Sequence, residues 1–477
     1  MNTAEAENTA VLSLDLGSTW LKGAWIRPDG RPGPIARVES PLRNPDRQPG
    51  TIWDGVSAVM AGLLQSPEAP GSILAVALTG VTRSHVFLDG TGNVSGPLLL
   101  WDDPYGEERA AEVAAACGMP GDTPGYGAFH PLARLAQFSH DAGTAPAAMV
   151  ELKDWLNFRL TGRLATDSIA YGRLQQGAAA APAQALARLG FPASAIPAPL
   201  APDTCLGRIQ ALEDPALRRL AGVPVATSSF DTWCSTLGMG AITAGAIYDI
   251  SGTTQVMGTF TEAPGALPGM VCMPWTPTLW HIGGPCQTGL GTLAWFARTF
   301  LDTEDPAAVL DAACASGTQD PPLCIPYLAG ERMPWWNSGL SASFHGVRAH
   351  HTRGDFARAV VEGLAMAHRI ALDRAGIRRS GSRVHMGGGG SALPLWRQTR
   401  ADAFGLPVSV GASPESALVG AALAAGVAVG YHHDLSASQT AVNQDHVLIR
   451  PDPDRTRYFD ARVAAFSALL DQTLAAT

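Results

Sequence analysis

Residues Leu12–Gly23, LSLDLGSTWLKG, return in altered form 235 positions later as Ile247–Gly258, IYDISGTTQVMG. In both copies an apolar, strand-like run breaks into glycine followed by hydroxyl residues, Gly17-Ser18-Thr19 and Gly252-Thr253-Thr254. A second glycine falls six residues after the first, at Gly23 and Gly258. The offset is half the chain, which predicts two similar halves, each opening on a strand–turn–strand hairpin. Tight turns of Gly, Ser and Thr present backbone N–H groups and hydroxyls, a recipe for holding phosphate. Two such turns facing each other across a cleft would grip one polyphosphate from both sides.

A chain of 477 residues is too long for one core and suits two domains, expected as 1–242 and 243–477. The formal charge of −9, with no basic run, argues against a nucleic-acid partner. Seven scattered cysteines never form CxxC, which disfavours a disulfide framework or a zinc site. The start MNTAEAENTA lacks the basic flank and apolar stretch of a signal peptide. The longest apolar run, Ala417–Gly430, has 14 residues, short for a membrane span, and reads as a tightly packed buried helix. No membrane association and a cytoplasmic location are expected. Only Lys22 and Lys153 are lysines, so Lys22 beside the first turn is either a phosphate ligand or a survivor of a bias towards arginine.

Strands are expected at Val11–Leu16, Trp20–Arg27, Ile73–Leu78, Leu98–Trp101, Val223–Phe230 and Val384–Met386. Helices are expected at Ile52–Leu64, Leu132–His140, Thr232–Met239, Phe356–Ala375, Leu393–Phe404 and Ser416–Ala428. Their alternation argues an α/β fold.

Asp15 ends the first strand two residues before the turn, where a carboxylate could hold Mg²⁺ beside nucleotide phosphates or simply cap its own turn. Asp231 lies between a strand and a helix. By spacing alone it is a helix N-cap, although a carboxylate there could also take a proton from an attacking hydroxyl. Gly387–Gly390 is neither a P-loop nor a dinucleotide fingerprint, but lets backbone approach a flat ring. Trp101, Asp102 and Asp103 pair an aromatic face with carboxylates, as sugar sites do.

Taken in order, these motifs resemble the FGGY carbohydrate kinases, and the resemblance runs almost end to end. LDLGSTWLK and ISGTT are similar to the family's two phosphate loops, and VPVATSSFDTWCSTLGMG to the segment bearing its catalytic base. Lys153-Asp154-Trp155 with LTGRLATD, GERMPWW with FHGV and RAVVEGLA, GGGGSALPLWRQTRADAFGLPV, and PESALVGAALAAG match further family segments. The resemblance implies two actin-like (ribonuclease H-like) domains with a cleft between them, closing to exclude water. It implies transfer of the γ-phosphoryl group of ATP–Mg²⁺ to a sugar or polyol hydroxyl. Residue by residue it implies Asp231 as general base, against the capping reading, and Asp15 as the Mg²⁺-organising carboxylate. Gly17, Ser18, Thr19 and Lys22 match the first phosphate loop, Gly252, Thr253 and Thr254 the second, and Gly388 and Gly389 the adenosine loop. Asp103, with Trp101, matches a substrate-binding strand end of the xylulose-kinase branch.

Departures fall where substrate is read. Thr232 replaces the branch's usual Asn, Tyr105 stands where Arg is usual, and His85 has no secure counterpart. A ketopentose such as xylulose or ribulose is the first expectation, then a polyol such as ribitol, erythritol or glycerol. A homodimer is a family-level expectation. The competing reading is an actin-like or chaperone-like ATPase, which would share both turns but lacks the Trp101–Asp103 and GERMPWW signatures.

Overall fold

The computed structural model describes residues 8–119, 127–175, 179–265, 267–378, 382–443 and 445–476. It is α/β and divides into two compact units. The first comprises Met1–Gly240, Met273–Pro277 and Ser416–Gln444; the second comprises Ala241–Cys272, Thr278–Glu415 and Asp445–Thr477.

In the first unit the sheet runs in the order Pro32–Glu39, Trp20–Ile26, Thr9–Leu16, Ser72–Gly80, Pro224–Ala226, Cys205–Arg208. The first three strands form an antiparallel meander; Thr9–Leu16, Ser72–Gly80 and Pro224–Ala226 are parallel. The second sheet repeats the plan with one more strand at its edge, in the order Val271–Pro274, Trp280–Cys286, Gln255–Thr261, Ile247–Ser251, Val384–Gly387, Val408–Val410, Val447–Ile449. Each sheet has an apolar core, around Leu12, Leu14, Ile52 and Val76 in one unit and Met257, Leu293, Leu364 and Val408 in the other. Among the described residues, no helix is long and apolar enough to cross a membrane.

A single cut near 242 does not describe the chain. The helix Ser416–Ala428, expected in the second half, packs in the first unit against the helix Asp231–Gly238. Small residues make this possible: a Cβ on Gly420 would overlap the carbonyl of Cys234, and one on Gly238 that of Ser416. Ser13 Oγ donates to Leu418 O at 2.8 Å from the strand below. Met273–Pro277 joins the same unit through Trp275, whose Nε1 donates to Thr236 Oγ1 at 3.0 Å and whose carbonyl accepts from Trp233 Nε1 at 2.9 Å.

Leu98–Trp101 is not a strand. Pro97 and Pro104 bracket a compact turn in which Asp103 Oδ2 accepts from Leu100 N at 2.6 Å, and only one bridge, Leu99 with His85, joins it to a neighbour.

Candidate active-site residues

Parallel strands bring their carboxyl ends to one edge of the first sheet, the usual place for ligands in α/β proteins. That edge carries Asp15 near the end of Thr9–Leu16, the turn 81–84 after Ser72–Gly80, and the run to Asp231 after Pro224–Ala226. Asp15 is the direct cross-strand partner of Lys22, so both side chains rise from the same face of the hairpin. The turn between them is closed by Gly17 N donating to Trp20 O at 3.1 Å, and leaves Ser18 and Thr19 exposed.

Asp231 is not the N-cap. Phe230 occupies that position, and Asp231 is the first residue of the helix Asp231–Gly238. Its Oδ1 accepts from Thr232 N at 2.6 Å and from Thr232 Oγ1 at 3.2 Å. Burial is the largest influence on its acidity and raises its pKa, against the opposing pull of the Thr232 bonds and Arg173. Thr232 therefore orients the carboxylate. The approach to Asp231 is pinned by Ser229, whose Oγ donates to Asp167 Oδ1 and whose carbonyl accepts from Thr79 Oγ1, both at 2.8 Å.

Three neighbours escaped the sequence reading. Arg173 stacks over Phe230, its Cζ 3.8 Å from the ring centroid, and donates to Thr82 Oγ1, linking the Asp231 helix to the turn 81–84. Glu151 accepts from Arg83 N at 3.2 Å and Ser84 N at 2.9 Å; burial pushes its carboxyl up to about 7. Arg134, fully buried, donates to Arg83 O, Leu100 O and Asp103 O, each at 2.6 Å. No spacing signal marks an interior arginine, although Glu151 lies two residues before the Lys153-Asp154 motif.

Arg134 also meets His85, Nη1 to Nδ1 at 3.0 Å. A guanidinium only donates, so Nδ1 accepts and Nε2 carries the proton, facing Glu151 Oε1 at 3.8 Å. His85 is 3% exposed, and burial with the nearby arginines holds it neutral. His85, which falls where the substrate is read, is thus buried and supports the turn that carries it. Asp103 pairs with Arg47, which supplies from another part of the chain the guanidinium that Tyr105 does not. Both line a cavity of about 400 Å³ with Asp46, Leu98 and Tyr105. Trp101 lies half-buried in the preceding turn.

In the second unit, Gly252 N donates to Thr254 O at 3.1 Å. The carbonyls of Gly252 and Thr253 accept from Leu290 N and Gly291 N, both at 2.9 Å, at the start of the helix Leu290–Phe300. Thr253 is exposed at the tip. Gly388, at φ +76°, crosses the end of the strand Ile247–Ser251; a Cβ there would stand 2.6 Å from Ser251 O. Gly389 opens a short 3₁₀ turn through Ala392, and the α-helix follows at Pro394. Both sequence-predicted nucleotide loops of this unit therefore meet at Ser251.

A family model for the C-terminal domain of the FGGY family of carbohydrate kinases matches residues 247–429. The chain is 28% identical to xylulose kinase of Staphylococcus epidermidis over 186 residues, a match spanning 38% of this chain and 37% of that protein. It is 25% identical to xylulose kinase of Escherichia coli K12, covering 97% of this chain and 99% of that one. The crystal structure of gluconate kinase from Lactobacillus acidophilus shares the fold, with a TM-score of 0.83 at 22% identity over 98% of each chain. Residues 247–429 thus belong to the C-terminal domain of the FGGY family of carbohydrate kinases. The enzyme class of the chain is that of an ATP-dependent sugar kinase.

Proposed function

We propose that this kinase phosphorylates a hydroxyl of a small sugar, a ketopentose such as xylulose first, with Asp231 as general base. The observation that carries the reading is Asp231 itself, beyond the carboxyl end of a parallel strand, its pKa raised by burial and its Oδ1 held by Thr232. Both Thr232 bonds go to Oδ1, which leaves Oδ2 to accept the sugar hydroxyl's proton as that oxygen attacks the γ-phosphorus and ADP departs. A raised pKa makes the carboxylate a better base. Asp103 and Trp101 would hold sugar hydroxyls and C–H faces. The turns Gly17–Thr19 with Lys22, and Gly252–Thr254, would offer N–H groups and hydroxyls to the phosphates, and Gly388 and Gly389 would lie against adenosine.

No cluster of three or more His, Cys, Asp or Glu suited to a metal occurs among the described residues. Asp15 as a single hard oxygen donor fits an ion carried mainly by phosphates, the usual manner of Mg²⁺. When bound, Mg²⁺ would neutralise phosphate charge.

Asp231→Asn is expected to keep ADP binding while lowering kcat by roughly 10³-fold, the scale of a lost general base. A coupled ADP-release screen over ketopentoses, aldoses, polyols and gluconate identifies the substrate, and full turnover in the variant would remove Asp231 from the base role. ATP turnover independent of any sugar would overturn the kinase reading.

A further inference from the structure

Both nucleotide loops of the second unit rest on one buried polar line, hydrogen-bonded from Arg400 to Glu331 and joined to Asp249 by a longer charge contact. Arg400, wholly buried, lies with its Cζ 4.2 Å from the Trp396 ring centroid and its Nε 4.0 Å from Asp249 Oδ2. Its Nη1 stands 2.5 Å from His368 Nδ1. His368 Nε2 lies 3.3 Å from Thr288 Oγ1, which donates to Glu331 Oε2 at 2.6 Å. Glu331 also accepts from Gln287 N, Thr288 N and Arg332 N. Because a guanidinium cannot accept, every proton in this line has one position: Arg400 to His368, His368 Nε2–H to Thr288, Thr288 O–H to Glu331.

Each end of the line reaches a loop. At one end, residues 287–288 lead directly into Leu290 and Gly291, whose N–H groups hold the Gly252 and Thr253 carbonyls. At the other, Asp249 accepts from Ser251 Oγ at 3.2 Å and from Gln255 Nε2, the residues bracketing the turn. Trp396 Nε1 donates to Ser251 Oγ at 2.9 Å, and Gly390 passes so close that a Cβ would stand 2.5 Å from Ser251 Cβ. We propose that Thr288, His368 and Arg400 are positioning residues for nucleotide, fixing the Gly252–Thr254 turn and the Gly388–Gly390 run as one preorganised surface. The inference rests on the reading of those loops as nucleotide ligands.

The test uses Thr288→Val, which removes the hydroxyl with little change of shape, and Thr288→Ser, which restores it. Titration with ADP and magnesium is expected to show affinity weakened roughly 3- to 10-fold in the Val variant, the scale of one or two hydrogen bonds, and recovered within about twofold in the Ser variant. The KM for ATP rises in parallel while that for sugar stays within about twofold, a split that general destabilisation would not produce. A folded Val variant with unchanged ADP affinity, or equal rises in both KM values, overturns the proposal. The double variant Thr253→Ala with Thr254→Ala separates the two ideas. If it binds ADP like the parent, the turn is no phosphate loop and both fall. If it loses affinity while Thr288→Val does not, the positioning inference alone falls.

Discussion

Position 15 shows what a one-residue shift does within a repeat. Aligning the two copies places Ile250 opposite Asp15, and the second carboxylate moves one residue earlier, to Asp249. Strand side chains alternate faces, so Asp249 points into the core beside Arg400 while Asp15 shares a face with Lys22. The hairpins also differ in length: four residues separate the last paired positions Leu16 and Leu21, but three separate Ser251 and Gln255. Of the two hairpins, only the first therefore carries charge outside the core, Asp15 and Lys22, which under the proposed function would meet the metal–nucleotide. Lys22→Ala is expected to raise the KM for ATP by roughly tenfold, as for a lost charge-assisted bond, with a smaller change for sugar. An unchanged ATP dependence in steady-state kinetics would return Lys22 to codon bias. At this scale the place of Asp231 between a strand and a helix was legible, but spacing alone made it an N-cap, and only the family resemblance implied a base. Arg134, Arg173 and Arg400 were not legible, because a long side chain reads the same in sequence whether its head is in water or in the core.

Among elements, the pair of helices Asp231–Gly238 and Ser416–Ala428 is governed by side-chain size. Their backbones meet at Cys234, Gly238, Ser416 and Gly420 closely enough that no side chain fits at either glycine. Gly420→Ala is expected to destabilise the protein by about 3 kcal/mol or more through overpacking, and to disturb the helix that begins with Asp231. Thermal unfolding and kcat measure the two effects; a variant with the parent's Tm would show that the helices can part at little cost. The composition of Ala417–Gly430 revealed a buried helix, because only small residues tolerate such contact. Its partner stayed hidden, since every apolar face looks alike until topology selects one. The failure at Leu98–Trp101 has a different origin: a short apolar run is equally suited to a strand or a buried turn, and flanking prolines decided it.

The molecule as a whole contains two similar interior braces, Arg134–His85 beside Glu151 and Arg400–His368 leading to Glu331, each glutamate holding consecutive backbone amides of a loop. These buried groups make stability depend on pH in opposing ways. Burial keeps His85, His130 and His368 neutral, His130 down to about 3, whereas an exposed histidine titrates at 6.5. The unfolded chain takes those protons first, so acidification below 6.5 costs stability. Glu151, raised to about 7 from 4.5, acts the other way, with Asp231, Asp249 and Glu331 shifted in the same direction. Between pH 7 and about 4.5 the native state gains a proton on Glu151 that the unfolded chain still refuses, and the other raised carboxyls act in the same direction, which offsets the histidines. Below that range the histidine cost continues and is joined by carboxylates whose hydrogen bonds hold their pKa low, Asp89, Asp141, Asp355 and Asp434. The Tm is therefore expected to change little from pH 7 to 5 and to drop steeply below about 4.5; calorimetry showing the steep fall already between pH 7 and 6 would contradict this balance. The first unit is also stitched from three stretches, the last being Ser416–Gln444. A ribosome making this chain delivers the scaffold under Asp231 early and its covering helix only near the end. The nascent first unit must wait, incomplete and in need of shelter from aggregation, through the synthesis of almost the entire polypeptide.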